Sequence, residues 1–121
     1  MVDIAMDILV RASEGDMDAF EQVYKAASGF VYNVALRVVR NNADAEEVTQ
    51  DVFMKIYRNL KNFQFRSAFK TWVYRITVNT AINYYRKSKK EDGDRVDFDS
   101  AIAAAVGTNS TAQEIILHPI L

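Results

Sequence analysis

The chain of 121 residues has no cysteine, a single proline and only four glycines. The absence of cysteine excludes disulfides, thiolate metal sites and cysteine nucleophiles. Neither proline nor glycine occurs from residue 30 to residue 92, which favours long helices over strands joined by tight turns. No apolar run approaches the roughly 20 residues of a membrane span, and the acidic N-terminal stretch is unlike a signal peptide. We expect a cytoplasmic protein with no membrane insertion.

Groups that could catalyse a reaction are scarce in this sequence. The single histidine, His118, stands beside Pro119 in the tail, and we interpret it as an incidental surface residue. There is no glycine-rich phosphate loop, nucleophile elbow or His-plus-carboxylate metal spacing. The acidic run from Asp44 to Glu47 is typical of a helix start, where carboxylates complement the helix dipole. We expect no enzyme activity, no cofactor and no metal.

Charge is divided into three blocks of alternating sign, although the formal net charge is only −1. Residues 1–51 carry ten acidic and four basic side chains, and residues 91–121 carry six acidic and one basic. Residues 52–90 carry ten basic and no acidic side chains. The basic block would attract a polyanion that the acidic blocks repel. The alternative is a solvated basic face paired with the acidic blocks, and charge alone does not choose between the two.

Apolar spacing predicts four helices, over residues 3–13, 17–40, 43–60 and 68–88. Asp16 and Ser67 are suited to cap the second and fourth helices. The predicted fold class is all-α: a compact bundle of three to four helices over residues 1–90, with an irregular acidic arm over 91–121. The predicted inward residues are Ile4, Ile8 and Leu9; Phe20, Tyr24, Ala27, Val31, Val34, Ala35 and Val38; Ala45, Val48, Val52, Ile56 and Leu60; and Phe69, Trp72, Val73, Ile76 and Thr80.

The stretch from Asn62 to Lys90 combines cations, aromatic rings and amide side chains without a carboxylate. Single-stranded nucleic acid is bound by cations that meet phosphates and by exposed rings on which bases stack. Duplex DNA is read by Asn, Gln and Arg side chains projecting from one helix face. Trp72 fits the core better than the surface, whereas four other rings are predicted to face either way: Phe63, Phe65, Tyr84 and Tyr85. The predicted outer face of the fourth helix carries Arg75, Asn79, Ile82, Asn83 and Arg86, prolonged by Lys87, Lys89 and Lys90.

Three motifs carry a resemblance to a known family. DAEEVTQDVFMKIYRNLKNF followed by SAFKTWVYRITVNTAINYYRK resembles region two of bacterial RNA polymerase sigma factors of the extracytoplasmic-function group. AFEQVYKAASGFVYNVALRVV is similar to that group's first conserved helices, so the resemblance covers about residues 16–90. It implies a helical bundle whose third helix docks on the clamp helices of the polymerase β′ subunit. It also implies that the next loop and helix recognise and melt the promoter minus-ten element, with a flipped base held in the loop.

The resemblance also implies a role for individual residues. The polymerase contacts fall on the outer face of the third helix, at Glu47, Gln50, Asp51, Met54, Tyr57 and Arg58. The base-capturing loop falls on Asn62, Phe63, Gln64, Phe65, Arg66 and Ser67. The duplex-reading face falls on Arg75, Asn79 and Asn83, the backbone contacts on Lys70, Arg86 and Lys87, and Trp72 completes the DNA-binding set.

Full-length members of this group carry a second helical domain, region four, and nothing after Ser88 resembles it. Residues 91–121 resemble the group's acidic interdomain linker. We therefore expect a fragment or truncated product that keeps polymerase docking and minus-ten recognition and does not direct promoter-specific initiation alone. The alternative is an interaction module that an anti-sigma factor holds, with a basic face that does not read DNA.

Overall fold

The computed structural model describes residue 1, residues 3–65 and residues 67–92, with side chains as far as Lys89. Four α-helices follow one another: α1 (Met6–Ser13), α2 (Met17–Val39), α3 (Asn42–Asn59) and α4 (Phe69–Asp92), with a 3₁₀ turn (Leu60–Asn62) after α3. No strand occurs in this part of the chain. The all-α class is confirmed, and α4 runs past its predicted end. The predicted arm lies outside the described residues beyond residue 92, as does His118.

Two side chains fix the starts of α2 and α3. The Asp16 carboxylate accepts a hydrogen bond from the Ala19 N–H at 3.0 Å, which confirms it as a cap. The Asn41 amide oxygen does the same for Asp44, at 2.8 Å. The bond from Ala19, and then the bond from Arg11, lowers the pKa of Asp16 below 3.8. The cap is therefore present above pH 3.8 and is lost as the pH falls through the lower folded pKa.

The cap of α4 differs from the prediction. The helix begins at Phe69, and the Ala68 carbonyl accepts the Trp72 N–H at 3.1 Å. Ala68 therefore occupies the N-cap position, and Ser67 lies one residue too early to cap the helix. The prediction for Ser67 was wrong.

The core is built around α2, which packs against α1, α3 and α4. The whole predicted stripe from Ala45 to Leu60 is buried, with Leu60 in the 3₁₀ turn that follows α3. Phe69, Trp72, Val73, Ile76 and Thr80 of α4 are buried too, as predicted. On α2 the predicted positions from Ala27 to Val38 are buried, whereas Phe20 is only partly covered. In α1, Leu9 is buried, whereas Ile8 and the preceding Ile4 are partly covered.

Two side chains face the opposite way from the prediction. Tyr24 was predicted inward, but 47% of it is exposed because it lies at the edge of the α2–α3 contact, against Phe53. Ile82 was predicted on the outer face of α4, but only 6% of it is exposed. Because α4 packs against both α2 and α3, its buried surface is wider than a single stripe. Tyr85 is also buried, while Tyr84 is half-buried.

Within the described ranges, no helix has the length and apolarity needed to cross a membrane.

Candidate nucleic-acid interface and docking face

Four aromatic rings cluster where the loop after α3 meets the start of α4. The Phe63 ring stacks on Trp72, with ring centres 4.8 Å apart and planes inclined by 27°. Phe65 lies 4.8 Å from Phe63 on one side, and Phe69 lies 6.0 Å from it on the other. Only 9% of Trp72 is exposed under this cover, which agrees with the spacing that favours the core. Trp72 would therefore reach a ligand only after Phe63 moves aside.

Phe65 is the outermost ring of this cluster. Its φ angle of 57° lies in the left-handed region, which a bulky side chain adopts at a cost of about 1–2 kcal/mol. The ring is 37% exposed, and it borders a cleft of about 270 Å³ that Asp3, Met6 and Lys70 also line. The backbone therefore holds a large ring at the surface, in a cleft that contains one basic and one acidic side chain.

The outer face of α4 continues from Trp72 along the helix. Arg75 and Asn79 are half-buried, whereas Asn83, Arg86 and Lys87 are exposed. The Arg75 Nε atom is buried, and no acceptor for it exists among the residues that the structure describes. A buried donor of this kind gains a hydrogen bond from any acceptor that reaches it. Because residues 52–90 contain no carboxylate, this face is suited to a phosphate or a base edge.

Lys70 stands beside the aromatic cluster on an exposed part of α4. Its ammonium group lies 5.4 Å from the centre of the Phe30 ring on α2, a cation–π contact. Phe30 was not among the predicted functional residues, because the sequence of α2 does not indicate which side chain of α4 it contacts. The contact directs Lys70 toward α2 without neutralising its charge.

The outer face of α3 has a different chemistry. It exposes Glu47, Gln50, Asp51, Met54, Tyr57 and Arg58. Met54 and Tyr57 are each 52% exposed, and the Tyr57 ring makes an edge contact with Phe20 of α2 at 5.3 Å. Since Tyr24 lies against Phe53 at 4.7 Å, exposed apolar side chains extend from α3 onto α2. A polar surface with such an apolar centre is typical of protein interfaces, and we name the six exposed α3 residues together with Tyr24 the docking face.

One tyrosine connects α4 to the start of α3. The Tyr84 hydroxyl lies 2.8 Å from Asp44 Oδ1 and 2.9 Å from Glu47 Oε2, and it donates its proton to this pair of carboxylates. The bonds to Asp44 and then to Glu47 raise the pKa of Tyr84 well above 10.0, because its phenolate would face two negative charges. Tyr84 and Asp44 are 40 positions apart, and no pattern in the sequence indicated this contact.

Replacing Tyr84 with phenylalanine should lower the free energy of unfolding by about 1 kcal/mol at pH 7. Above pH 10 the unfolded phenol ionises while the folded one stays neutral, so the stabilising effect is lost as pH rises toward the folded pKa. The difference in the free energy of unfolding between Tyr84→Phe and the wild type should therefore become smaller above pH 10. Urea unfolding followed by circular dichroism at several pH values measures it. Tyr57→Phe, which removes an exposed hydroxyl, is the control, and an equal loss in both variants would contradict the prediction.

The sequence from residue 23 to residue 91 matches the sigma-70 region 2 family. The chain belongs to that family. This region 2 match spans most of α2, all of α3 and the loop, and nearly all of α4, so it contains both faces described above. The recognition of this family from the sequence is confirmed.

Similar proteins come from several bacteria. The chain is 32% identical over 81 residues to the ECF RNA polymerase sigma factor SigW of Bacillus subtilis, covering 67% of this chain and 43% of that protein. It is 38% identical over 77 residues to the RNA polymerase sigma-H factor of Pseudomonas aeruginosa, covering 64% and 40%. It is 35% identical over 97 residues to the ECF RNA polymerase sigma-E factor of Escherichia coli, covering 77% and 50%. The chain thus spans half or less of the length of these relatives.

The predicted site residues of this region 2 chain divide between the two faces. The predicted polymerase contacts are all on α3, and all six are exposed. Among the predicted DNA contacts, Asn62, Gln64, Phe65, Lys70, Asn83, Arg86 and Lys87 are exposed, whereas Phe63, Ser67, Arg75 and Asn79 are half-buried and Trp72 is buried. Arg66 lies outside the described residues. The sequence did not indicate Tyr84 as a link between the faces or Tyr24 as part of the docking face.

Proposed function

We propose that this chain is a non-enzymatic specificity domain of transcription initiation. The outer face of α3 docks on the β′ clamp helices of RNA polymerase, and the loop and α4 recognise and open the promoter minus-ten element. Membership of the sigma-70 region 2 family and the separation of two chemically different faces support this proposal. The polymerase supplies the catalytic centre, and the chain supplies selective contacts.

The observation that carries the DNA-binding part is the exposed Phe65 ring in a segment, residues 52–90, that contributes no carboxylate. Asp3, which also lines the cleft beside this ring, comes from the N-terminal segment. A base that leaves the duplex needs an aromatic surface for stacking and donors for its polar edge. Phe65 offers the first, and Arg75 and Asn79 on α4 offer the second. Lys70, Arg86 and Lys87 would hold the adjoining phosphates and set the register of the strand.

We expect the duplex to open because the chain binds the unpaired strand more tightly than the closed duplex. Contacts that exist only with the unpaired strand stabilise the open state, and they offset the cost of unstacking. Phosphate contacts serve the closed and the open state alike, so they contribute affinity but little melting. Binding by the isolated chain should be weak, because the acidic residues of the N-terminal 51 positions repel the DNA. It should fall with salt, because the contacts of Lys and Arg with phosphates release counterions.

A second candidate function rests on the exposed apolar side chains of the docking face. Met54, Tyr57 and Tyr24 are each about half exposed on one surface of α2 and α3. Such a surface suits a regulator that covers it and blocks the polymerase, as an anti-sigma factor would. This candidate predicts a tight complex with a protein partner and no sequence preference for DNA.

Fluorescence anisotropy with labelled oligonucleotides tests the DNA-binding proposal. The full chain with core polymerase should bind a single strand carrying a minus-ten element roughly tenfold better than a scrambled strand. Phe65→Ala should weaken that binding by about 5- to 150-fold, because one stacked base contributes about 1–3 kcal/mol. Val10→Ala removes a similarly exposed apolar side chain from α1 and should bind normally. Equal affinity for every strand and duplex would indicate only a basic patch, and it would refute the proposal that the chain recognises the minus-ten sequence.

A further inference from the structure

Gly29 lies on an exposed part of α2, a helix of 23 residues. The described part of the chain shows no structural reason for a glycine at this position. Glycine is one of the least favourable residues in a helix interior. Gly29 does not have a positive φ angle, and a Cβ added there would meet nothing within 4 Å. Neither backbone conformation nor close packing inside the described residues therefore requires glycine here. A remaining reason for a glycine here is the close approach of another molecule to the α2 backbone.

A groove between α2 and α3 lies directly beside Gly29. Its volume is about 370 Å³; α2 contributes Tyr24, Ser28, Gly29 and Tyr32, and α3 contributes Glu46, Thr49 and Gln50. Among the described residues that line it, Glu46 alone carries a charge. The Tyr32 hydroxyl donates a hydrogen bond to Asn42 Oδ1 at 2.9 Å, which fixes one wall to the start of α3. The groove is thus a partly aromatic recess with a carboxylate.

We propose that this groove receives a cationic side chain, arginine or lysine, from the polymerase helix that docks on α3. The inference rests on the proposed function, because Gln50 belongs both to the groove and to the docking face. Glu46 supplies the opposite charge, and the exposed Tyr24 ring offers a face for a cation–π contact. The missing side chain at Gly29 lets the partner approach the α2 backbone closely.

Charge identifies the class of occupant. Residues 1–51 carry ten acidic and four basic side chains, and Glu46, Glu47 and Asp51 follow one another on or beside the docking face. A phosphate would be repelled here, whereas a cation from a protein partner would be attracted. The groove therefore belongs to protein docking and is separate from the basic surface of α4.

A substitution at Gly29 tests the approach of the partner. Gly29→Leu places a side chain in open space, so the fold should remain, and its unfolding midpoint in urea should equal or exceed that of the wild type. Affinity for core polymerase, measured by biolayer interferometry with the full chain, should fall tenfold or more. Asn33→Leu, an exposed α2 position outside the groove, should leave affinity unchanged. Wild-type affinity in Gly29→Leu would overturn the inference.

A second series tests the charge. Glu46→Gln should weaken polymerase binding several-fold and Glu46→Lys more strongly, whereas Glu14→Lys, with the same change of charge outside the groove, should have little effect. An equal effect of Glu46→Lys and Glu14→Lys would overturn the cationic occupant. If the wild-type chain itself fails to bind polymerase, the proposed docking function falls together with this inference. If the wild type binds and the groove variants bind equally well, the inference alone falls.

Discussion

Replacing Trp72 with alanine should lower the free energy of unfolding by about 3–5 kcal/mol, a large part of the stability of a small domain. The indole is only 9% exposed, and it lies between the Phe63 ring at 4.8 Å and the Phe69 ring at 5.8 Å. Truncation would remove both ring contacts and leave a cavity at the junction of the loop and α4. Urea unfolding followed by circular dichroism at 222 nm measures the loss.

Phe65→Ala is the matched control for this effect. Its ring belongs to the same cluster but is exposed, so we expect a change in stability below about 1 kcal/mol. The two variants separate a ring that holds the loop from a ring that is available to a base. A loss below about 1 kcal/mol for Trp72→Ala would show that the indole is not packed, and it would return Trp72 to the group of direct DNA contacts.

The double variant Gln50→Ala with Asp51→Ala should reduce affinity for a fragment of the β′ clamp helices by roughly tenfold or more. Both side chains are exposed on the outer face of α3, beside Met54, and a few central residues carry most of the binding energy in protein interfaces. Stability should hardly change, because neither side chain is buried. Pull-down of the fragment at several concentrations measures the loss.

Asp18→Ala with Gln22→Ala provides the comparison, because it removes the same two types of side chain from exposed positions of α2. This control should recover the fragment as the wild type does. If the α3 variant also recovers the fragment fully, the outer face of α3 is not the polymerase contact.

Helix positions could be predicted closely from the sequence because local signals determine them. Asp16 marks the start of α2 by its capping bond, and the periodic stripe from Ala45 to Leu60 fixes the buried side of α3. The long stretch without proline or glycine predicts the long helix α4. Such signals depend on neighbours within about one turn, so the rest of the fold does not alter them.

Side chains at the borders between helices could not be placed in the same way. Tyr24 and Ile82 both fit a helical period, yet the first is exposed and the second is buried. Their burial depends on how far α3 and α4 extend across a neighbour, which is a tertiary property. The Tyr84 bonds to Asp44 and Glu47 join distant parts of the chain and leave no periodic pattern. The sequence could therefore assign each predicted face to a helix or loop, whereas the contacts of its side chains depend on how the helices pack.

The stack of Phe63 on Trp72 also makes the molecule its own optical probe. Trp72 is the sole tryptophan of the chain, so all indole emission originates under the Phe63 ring. Any displacement of that ring admits water to the indole and shifts its emission to longer wavelength. Movement of the loop can thus be timed in a stopped-flow instrument without attaching a dye to the protein.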